Sequence, residues 1–316
     1  MANLSNNKCD KVKIIKSTKG IKAARTDENI IFGLDVEKVL DSLPEEPLFD
    51  LVVTSPPYDI GKSYEKRMPL EDYVAWQKRI IQKIYPRLKD TGSICWEVGN
   101  HITKDGSIMP LDIALDPIFR DLNMSLRNRI VWHFGHGLHS KNRFSGRYEV
   151  IMWYTKSDNY VFNLDPVRIP AKYPGKRHFK GPHKGELSGN PLGKNPEDVW
   201  DDIPNVKSNH IEKTIHPCQF PVGLIERLVL SMTNEGGLVF DPFAGVASAG
   251  VAAILNNRGF WGCEIVDDYI KIGKERLIQS VEGTIKYREN KPLYNPSQSN
   301  LSKTPEEWID TGGKKS

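Results

Sequence analysis

The sequence predicts an α/β protein, built on a mostly parallel sheet with helices on both faces. Three observations carry this. Apolar strands alternate with helical patterns along most of the chain. Strands such as FDLVVT at 49–54 and LVFD at 238–241 are continuously apolar, as strands buried on both faces must be. Two of them run straight into proline-containing turns, Ser55-Pro56-Pro57-Tyr58 and Pro242-Phe243-Ala244-Gly245. Open parallel sheets bind ligands at such strand ends.

The elements follow in order. Residues 1–26 read as a flexible basic tail, with Lys8, Lys11, Lys13, Lys16, Lys19, Lys22 and Arg25 against Asp10 alone. Ile30–Phe32 is a short strand, and 35–43 has helical spacing closed by Pro44. After strand 49–54, residues 70–88 carry apolar Tyr73, Val74, Trp76, Ile80, Ile81, Ile84 and Leu88 at helical spacing. Trp76 therefore reads as core. Ser93–Val98 is a strand after the Thr91-Gly92 turn, 110–122 a helix, and Asn128–Phe134 and Tyr148–Tyr154 two more strands around a loop at 135–147. From 157 to 213 Pro, Gly, Lys and His dominate without a sustained period. So long an irregular stretch inside a compact domain is expected to be functional. Order returns with a helix at 219–233, strand 238–241, a small-residue helix at 246–257, strand 259–264 and helix 267–282. The polar stretch 291–316 reads as loose. The expected organisation is a tail (1–26), a first half (27–156), an irregular insertion (157–213), a second half (214–283) and a C-terminal extension (284–316).

Composition narrows the class. The chain has 316 residues, 39% hydrophobic and 27% charged, an ordinary globular balance. No apolar run approaches the ~18 residues of a membrane helix, and the N-terminus has no apolar signal region. The four cysteines, Cys9, Cys95, Cys218 and Cys263, are far apart and form no CxxC pair. A reducing cytosol fits them better than a disulfide framework. Cys95 and Cys263 lie in strands and read as small buried hydrophobes. His133, His136 and His139 are spaced by three, but Gly135 and Gly137 break any helix and no fourth ligand is evident, so no metal is expected.

Two stretches carry chemistry. In the first, strand 238–241 enters Asp241-Pro242-Phe243-Ala244-Gly245-Val246-Ala247-Ser248 and then a helix. A glycine turn before a helix N-terminus lets a ligand approach the backbone. Glu264, about 20 residues on, stands where nucleotide-binding α/β folds place an acid for ribose hydroxyls. The turn is not GxGxxG, which argues against a dinucleotide oxidoreductase. In the second stretch, Pro56 and Pro57 fix the backbone and remove two N–H donors, leaving carbonyls for an external donor. Ser55 adds a hydroxyl and Tyr58 an aromatic face.

Together, Ser55-Pro56-Pro57-Tyr58 after a strand and Asp-Pro-Phe-Ala-Gly far downstream resemble the amino-group DNA methyltransferases that use S-adenosylmethionine. The order, catalytic motif first, is similar to their permuted beta group. Asp35 stands where that family has an acid near the cofactor adenine, with Leu34 in place of the usual glycine. His216-Pro217-Cys218-Gln219-Phe220-Pro221 resembles the family's HPTQKP-like motif, departing at Cys218 and Phe220. The stretch from Ile130-Val131-Trp132-His133 through Arg143-Phe144 to Glu149 also resembles the group. The likeness covers roughly 27–156 and 214–283.

The resemblance implies a Rossmann-like methyltransferase fold with circularly permuted motif order. It implies S-adenosylmethionine held by Asp35, His216, Pro217, Gln219, Asp241, Pro242, Phe243, Ala244, Gly245, Ser248 and Glu264. Methyl transfer to a flipped base falls to Ser55, Pro56, Pro57 and Tyr58. Residues 157–213 become the target-recognition region. The family's cofactor loop usually reads G-x-G-[ST]; here Ala247 puts a methyl where φ > 0 is expected. The partner implied is double-stranded DNA in a prokaryotic cytoplasm, with a cognate restriction endonuclease in the same system that forms no stable complex, and a monomer or homodimer. Cations expected on the DNA are Lys141, Arg143 and Arg147 in one loop, and Arg168, Lys172, Lys176, Arg177 and Lys180 in the acid-free run 168–184. Ser-Pro-Pro-Tyr is associated in the family mainly with cytosine N4 and Asp-Pro-Pro-Tyr with adenine N6. Both targets stay open, with cytosine favoured; a catalytically silent DNA-binding relative is the further alternative.

Overall fold

The computed structural model describes residues 12–57, 68–103, 106–135, 137, 139–289 and 299–309. The chain divides into two compact units, one of residues 1–162 with 198–289 and one of 163–197 with 290–316.

The first unit is built on a nine-stranded sheet. Its elements are β1 (Val12–Ile15), α1 (Thr18–Ile21), β2 (Asn29–Phe32), α2 (Val36–Ser42), β3 (Phe49–Thr54), α3 (Leu70–Ile84), β4 (Leu88–Val98), a small hairpin of β5 (Asn100–Ile102) and β6 (Ile108–Pro110), α4 (Leu111–Asp121), β7 (Ser125–His133), β8 (Tyr148–Thr155), β9 (Val199–Trp200), α5 (Val222–Met232), β10 (Leu238–Asp241), α6 (Ser248–Leu255), β11 (Gly259–Cys263) and α7 (Asp267–Glu282). The strand order is β1-β2-β11-β10-β3-β4-β8-β7-β9. From β1 to β4 every pairing is parallel; β8 is antiparallel to both β4 and β7, and β9 runs parallel to β7.

The period-2 geometry of a strand sends alternate side chains to opposite faces. Ile30, Phe32, Val52, Ile94, Trp96, Met152, Tyr154 and Phe240 meet the apolar sides of α1, α2, α3 and α4. Ile31, Leu51, Val53, Cys95, Ile151, Trp153 and Val239 meet α5, α6 and α7. The continuously apolar strands are thus buried on both faces, as their sequences require. The consequence for function lies between β10 and β3. From β3 the chain turns to α3 on one face and from β10 to α6 on the other, so the carboxyl ends of these two neighbouring strands open a crevice.

Three boundaries differ from the sequence reading. Residues 12–26 are not tail: β1 is an edge strand paired in register with β2, and Val12 and Ile21 are buried. The run Val12-Lys13-Ile14-Ile15 is β-forming, but the exposed Lys13, Lys16, Lys19 and Lys22 masked it. The stretch 157–213 is not one region: 198–213 belongs to the sheet unit, whereas 163–197 forms the second unit with the C-terminal segment. In that unit the Gly175 N–H donates to the Leu301 carbonyl at 2.9 Å, so described residues of the extension are packed. Finally, α6 begins at Ser248, because Ala247 before it is left-handed. No helix among the described residues is long and apolar enough to cross a membrane.

Candidate active site

The crevice is a cavity of about 290 Å³. Its walls come from Leu34–Val36, Ser55–Pro57, Met68, Trp76, His216, Cys218–Phe220, the Asp241–Val246 turn, Ser248, Cys263–Val266 and Tyr269. The two sequence motifs, nearly 190 residues apart, therefore share one chamber. A buried hydrogen bond ties them: Thr54 Oγ1 donates to Asp241 Oδ1 at 2.6 Å. The Phe243 N–H donates to the same oxygen at 3.0 Å, closing the turn after β10. Burial pushes the Asp241 carboxyl up to about 7, against the stabilising bonds from Thr54 and Phe243 and with a push from nearby Glu264.

The turn has the backbone a close-fitting ligand loop needs. Gly245 has φ +51, and a Cβ there would stand 3.1 Å from His216 Nε2. Ala247 has φ 58 and ψ 41, so its methyl occupies a left-handed position that glycine tolerates better. Arg276 on α7 is buried beneath the turn and donates to the Val246 carbonyl at 2.5 Å and Ser248 Oγ at 3.1 Å. Burial lowers its pKa to about 10. Sequence reasoning missed Arg276, although it falls on the buried stripe Ile270, Gly273, Leu277 and Ser280.

Glu264 ends β11 on the cavity wall. Its Oε1 accepts from the Ile265 and Val266 amides, each at 2.8 Å. Burial still raises its pKa, against those amides and that of Gly245. Ile265, 70% exposed, leaves an apolar surface beside this acid. That pairing of a carboxylate with an open apolar face suits a ribose and its flat base. Asp35 faces the same cavity while capping α2, accepting from Glu37 N at 3.0 Å and Lys38 N at 3.4 Å. Phe243 packs edge-on to Trp76 and Trp96, with ring centroids 5.4 and 6.4 Å away. Trp76 packs against the core, as its helical spacing predicts, and also lines the cavity.

Other predicted residues prove to be braces. Gln219 is buried; its Oε1 accepts from Thr214 N and Oγ1, and its Nε2 donates to the Glu212 carbonyl. Ser248 donates to the Phe220 carbonyl at 3.0 Å. Both touch the cavity while holding its wall. His216 lies edge-on to Tyr269 and accepts at Nδ1 from Cys218 N. Pro217 is exposed and is not among the lining residues. Pro242 and Ala244 do line the cavity. Tyr58 and His136 lie outside the described residues.

At the end of β3, Ser55 and Pro56 follow Thr54 onto the cavity wall. Glu97 of β4 is an acid the sequence reading passed over, although a carboxylate inside SICWEV is itself a signal. It is 2% exposed, and neither carboxyl oxygen makes a well-formed hydrogen bond, although Ser55 and Glu149 stand next to it. Burial first and Glu149 second push its pKa well up, while Ser55 opposes them. Thr54 pairs with Trp96, so the residues that follow, Ser55 and Glu97, are neighbours on adjacent strand ends.

The predicted DNA cations divide. Lys141 and Arg143 are exposed and Arg147 half-buried in the sheet unit; Arg143 donates to the Gly106 carbonyl. In the second unit Arg168 is held by Asp165 and the Gly193 carbonyl, and Arg177 by Gly185 O and Glu307. Lys172 lies near the Tyr173 ring, and Lys176 and Lys180 are exposed.

A family model described as DNA methylase matches residues 49–275. The chain is 46% identical over 279 residues to Type II methyltransferase M.BglII of Bacillus subtilis, covering 85% of this chain and 77% of that protein. It is 32% identical over 292 residues to DNA adenine methyltransferase YhdJ of Escherichia coli, covering 89% and 95%. Among solved structures, PvuII DNA methyltransferase (cytosine-N4-specific) aligns with a TM-score of 0.64 at 19% identity, over 86% of this chain and 92% of that one. TTHA0409 of Thermus thermophilus, complexed with S-adenosyl-L-methionine, aligns with a TM-score of 0.57 at 27% identity, over 81% and 97%. With its two motifs joined on one cavity in permuted order, the chain belongs to the DNA methylase family of S-adenosylmethionine-dependent amino-methyltransferases.

Proposed function

We propose that this chain methylates the exocyclic amino group of a base turned out of duplex DNA, cytosine N4 in the first reading, as the modification enzyme of a restriction system. The observation that carries the reading is the meeting of Ser55–Pro57 with the Asp241–Gly245 turn on one cavity. The residues fit the cofactor: a glycine turn for close backbone approach, Glu264 for ribose hydroxyls, and Ile265 with Leu34 and Phe220 for an apolar ring. When bound, S-adenosylmethionine supplies an electrophilic methyl on a sulfonium.

The chain's own residues handle the base. An aromatic amino nitrogen is a poor nucleophile because its lone pair is delocalised into the ring. Acceptors around the NH₂ favour the pyramidal form that attacks. Ser55 Oγ supplies one, and the proline pair leaves carbonyls with no competing N–H. Tyr58 is the stacking partner for the base in this reading. Glu97 stands beside Ser55 as a carboxyl that burial and Glu149 hold toward its protonated form. Ser55 Oγ accepts a hydrogen bond from the amino group, and the proton is lost to solvent after the nitrogen has attacked, so no strong base is required. Base flipping is required because a stacked amino group cannot reach the cavity floor.

The serine of Ser55-Pro56-Pro57-Tyr58 favours cytosine. A second reading, adenine N6, is favoured by the 32% identity to an adenine methyltransferase over most of both chains. The restriction context is supported by the Type II methyltransferase M.BglII. Digesting DNA methylated by the protein to nucleosides decides the base. N4-methylcytosine is the expected product, N6-methyladenine transfers the assignment to the second reading, and unmodified DNA refutes both.

A further inference from the structure

β8 is antiparallel to both β4 and β7, so β7 ends and β8 begins at the edge where β3 and β4 end and Ser55 follows. The loop 134–147 joins them there. Its base is anchored. The Phe134 N–H donates to the Arg147 carbonyl at 3.0 Å, and the Phe134 ring packs edge-on to buried Trp132, with centroids 5.1 Å apart. Two residues after Arg147, Glu149 pairs with Trp132 across the ladder, and its carboxyl meets that of Glu97 beside Ser55. The loop therefore springs from the immediate neighbours of the Ser55 site.

The tip is tied together by its polar groups. The Ser140 N–H donates to Ser145 Oγ at 3.0 Å, the Ser140 hydroxyl to Asn142 Oδ1 at 3.2 Å, and Arg143 Nη1 to the Gly106 carbonyl, between β5 and β6, at 3.4 Å. Among these residues Phe144 is 101% exposed, the highest value of any large apolar side chain among the described residues. It lies three residues from Arg147, so its Cα stands within about 10 Å of the loop base. An exposed aromatic ring costs free energy that burial against another molecule recovers. The surroundings state the chemistry of that molecule. Residues 122–148 contain no Asp or Glu, and Lys141, Arg143 and Arg147 flank the ring. A polyanion with apolar surface between its charges fits such a tip.

We infer that Phe144 is the wedge of base flipping: its ring enters the base stack of duplex DNA at the gap that the target base leaves, while Lys141 and Arg147 lie against flanking phosphates. The inference deepens the function proposed above and rests on it. Turning a base out breaks its stacking on both neighbours, and an apolar side chain inserted between base steps replaces that contact. The gap in the duplex buries the ring, and the ring keeps the gap from closing on the returning base.

The probe is a duplex carrying the sequence that the parent methylates, read from DNA the parent has modified. It is made in two forms, one fully paired and one with an abasic site opposite the target base. An unpaired target turns out at little cost. Phe144→Ala is expected to slow single-turnover transfer on the paired duplex about tenfold or more, and to come within about threefold of the parent on the abasic one. Phe144→Leu, still an apolar wedge, is expected to stay near the parent on both. Neither variant removes a charge or touches the cofactor cavity, so the salt slope of duplex binding and the cofactor affinity are expected to hold. Phe144→Ala transferring at the parental rate on the paired duplex overturns this inference alone. So does a defect of equal size on both duplexes, or one accompanied by loss of cofactor affinity. A parent that methylates no DNA overturns the proposed function together with it.

Discussion

Asp241 and Glu97 end two strands of the same sheet, on either side of β3, and each is 2% exposed. They meet opposite surroundings. Asp241 Oδ1 collects a hydroxyl and a backbone amide, so its burial is matched by hydrogen bonds and it welds the catalytic strand to the cofactor turn. Glu97 lacks well-formed bonds of that kind; its polar neighbours are a second carboxyl, Glu149, and the Ser55 hydroxyl. A buried acid without partners is expensive to keep. On the proposed function, the difference separates an acid that builds the site from one placed to act in it. It also points to Glu97, rather than the better-satisfied Asp241, as the group poised to exchange a proton with Ser55.

The sharpest way to break this contrast is Glu97→Gln, which keeps the shape and removes the titratable proton. Single-turnover methyl transfer is expected to fall by about 10²-fold or more, as for loss of an acid–base group. Cofactor affinity and thermal stability are expected to hold. Transfer at the parental rate would make Glu97 a structural acid like its neighbour. Asp241→Ala should act in the opposite sense. It strands the Thr54 hydroxyl and the Phe243 amide, at about 1–3 kcal/mol for each, and denaturant unfolding is the measurement. An Asp241→Ala protein as stable as the parent would remove the weld. Glu264→Ala lies between the two roles: cofactor binding should weaken by about 1.5–3 kcal/mol while stability changes less. Calorimetric titration with the cofactor checks it.

The pH dependence sharpens the same comparison. The folded Asp241 carboxyl titrates near 7, above the ordinary aspartate value of about 4. Between those values the folded chain binds more protons than the unfolded one. The contribution of this group to stability is therefore fully present below about pH 4 and is lost as the pH rises through about 7. Asp241→Asn should abolish that component, so the difference in stability between variant and parent grows in the variant's favour from pH 4 to 7. A difference independent of pH would contradict the assignment. The smallest effect is expected for Ala247→Gly. Relief of the left-handed backbone is offset by loss of a fully buried methyl, worth about 0.8 kcal/mol, so stability should change by less than about 1 kcal/mol. A large gain in cofactor affinity would show that the methyl obstructs the turn.

Much of this was legible along the chain. The strand at 49–54, the turn after 241 and the acid at 264 follow from local chemistry: β-forming apolar runs, prolines that end them, and a glycine where φ turns positive. The expectation that Ala247 takes positive φ came from the resemblance to the family's G-x-G-[ST] loop, where a glycine usually holds its position, and the backbone there has φ 58. Local pattern failed where long-range pairing decides. Val12–Ile15 becomes a strand only because β2 offers its edge, and β9 is two residues that exist only beside β7. Gln219 and Ser248 resemble ligand residues in their motifs, yet their polar atoms are engaged by Thr214, Glu212 and Phe220.

The sequence by itself determined the α/β class, the apolar strands buried on both faces, and the chemistry available at two strand ends, because these depend on side-chain period and backbone stereochemistry within short windows. Only the tertiary structure decided that β10 and β3 are neighbours at the point where the chain reverses its direction of growth across the sheet. It alone set Thr54 on Asp241, Arg276 under the turn, and Glu97 beside Ser55 and Glu149. Those are contacts between residues far apart in the chain, and their hydrogen bonds and desolvation exist only once the sheet has brought the strand ends together.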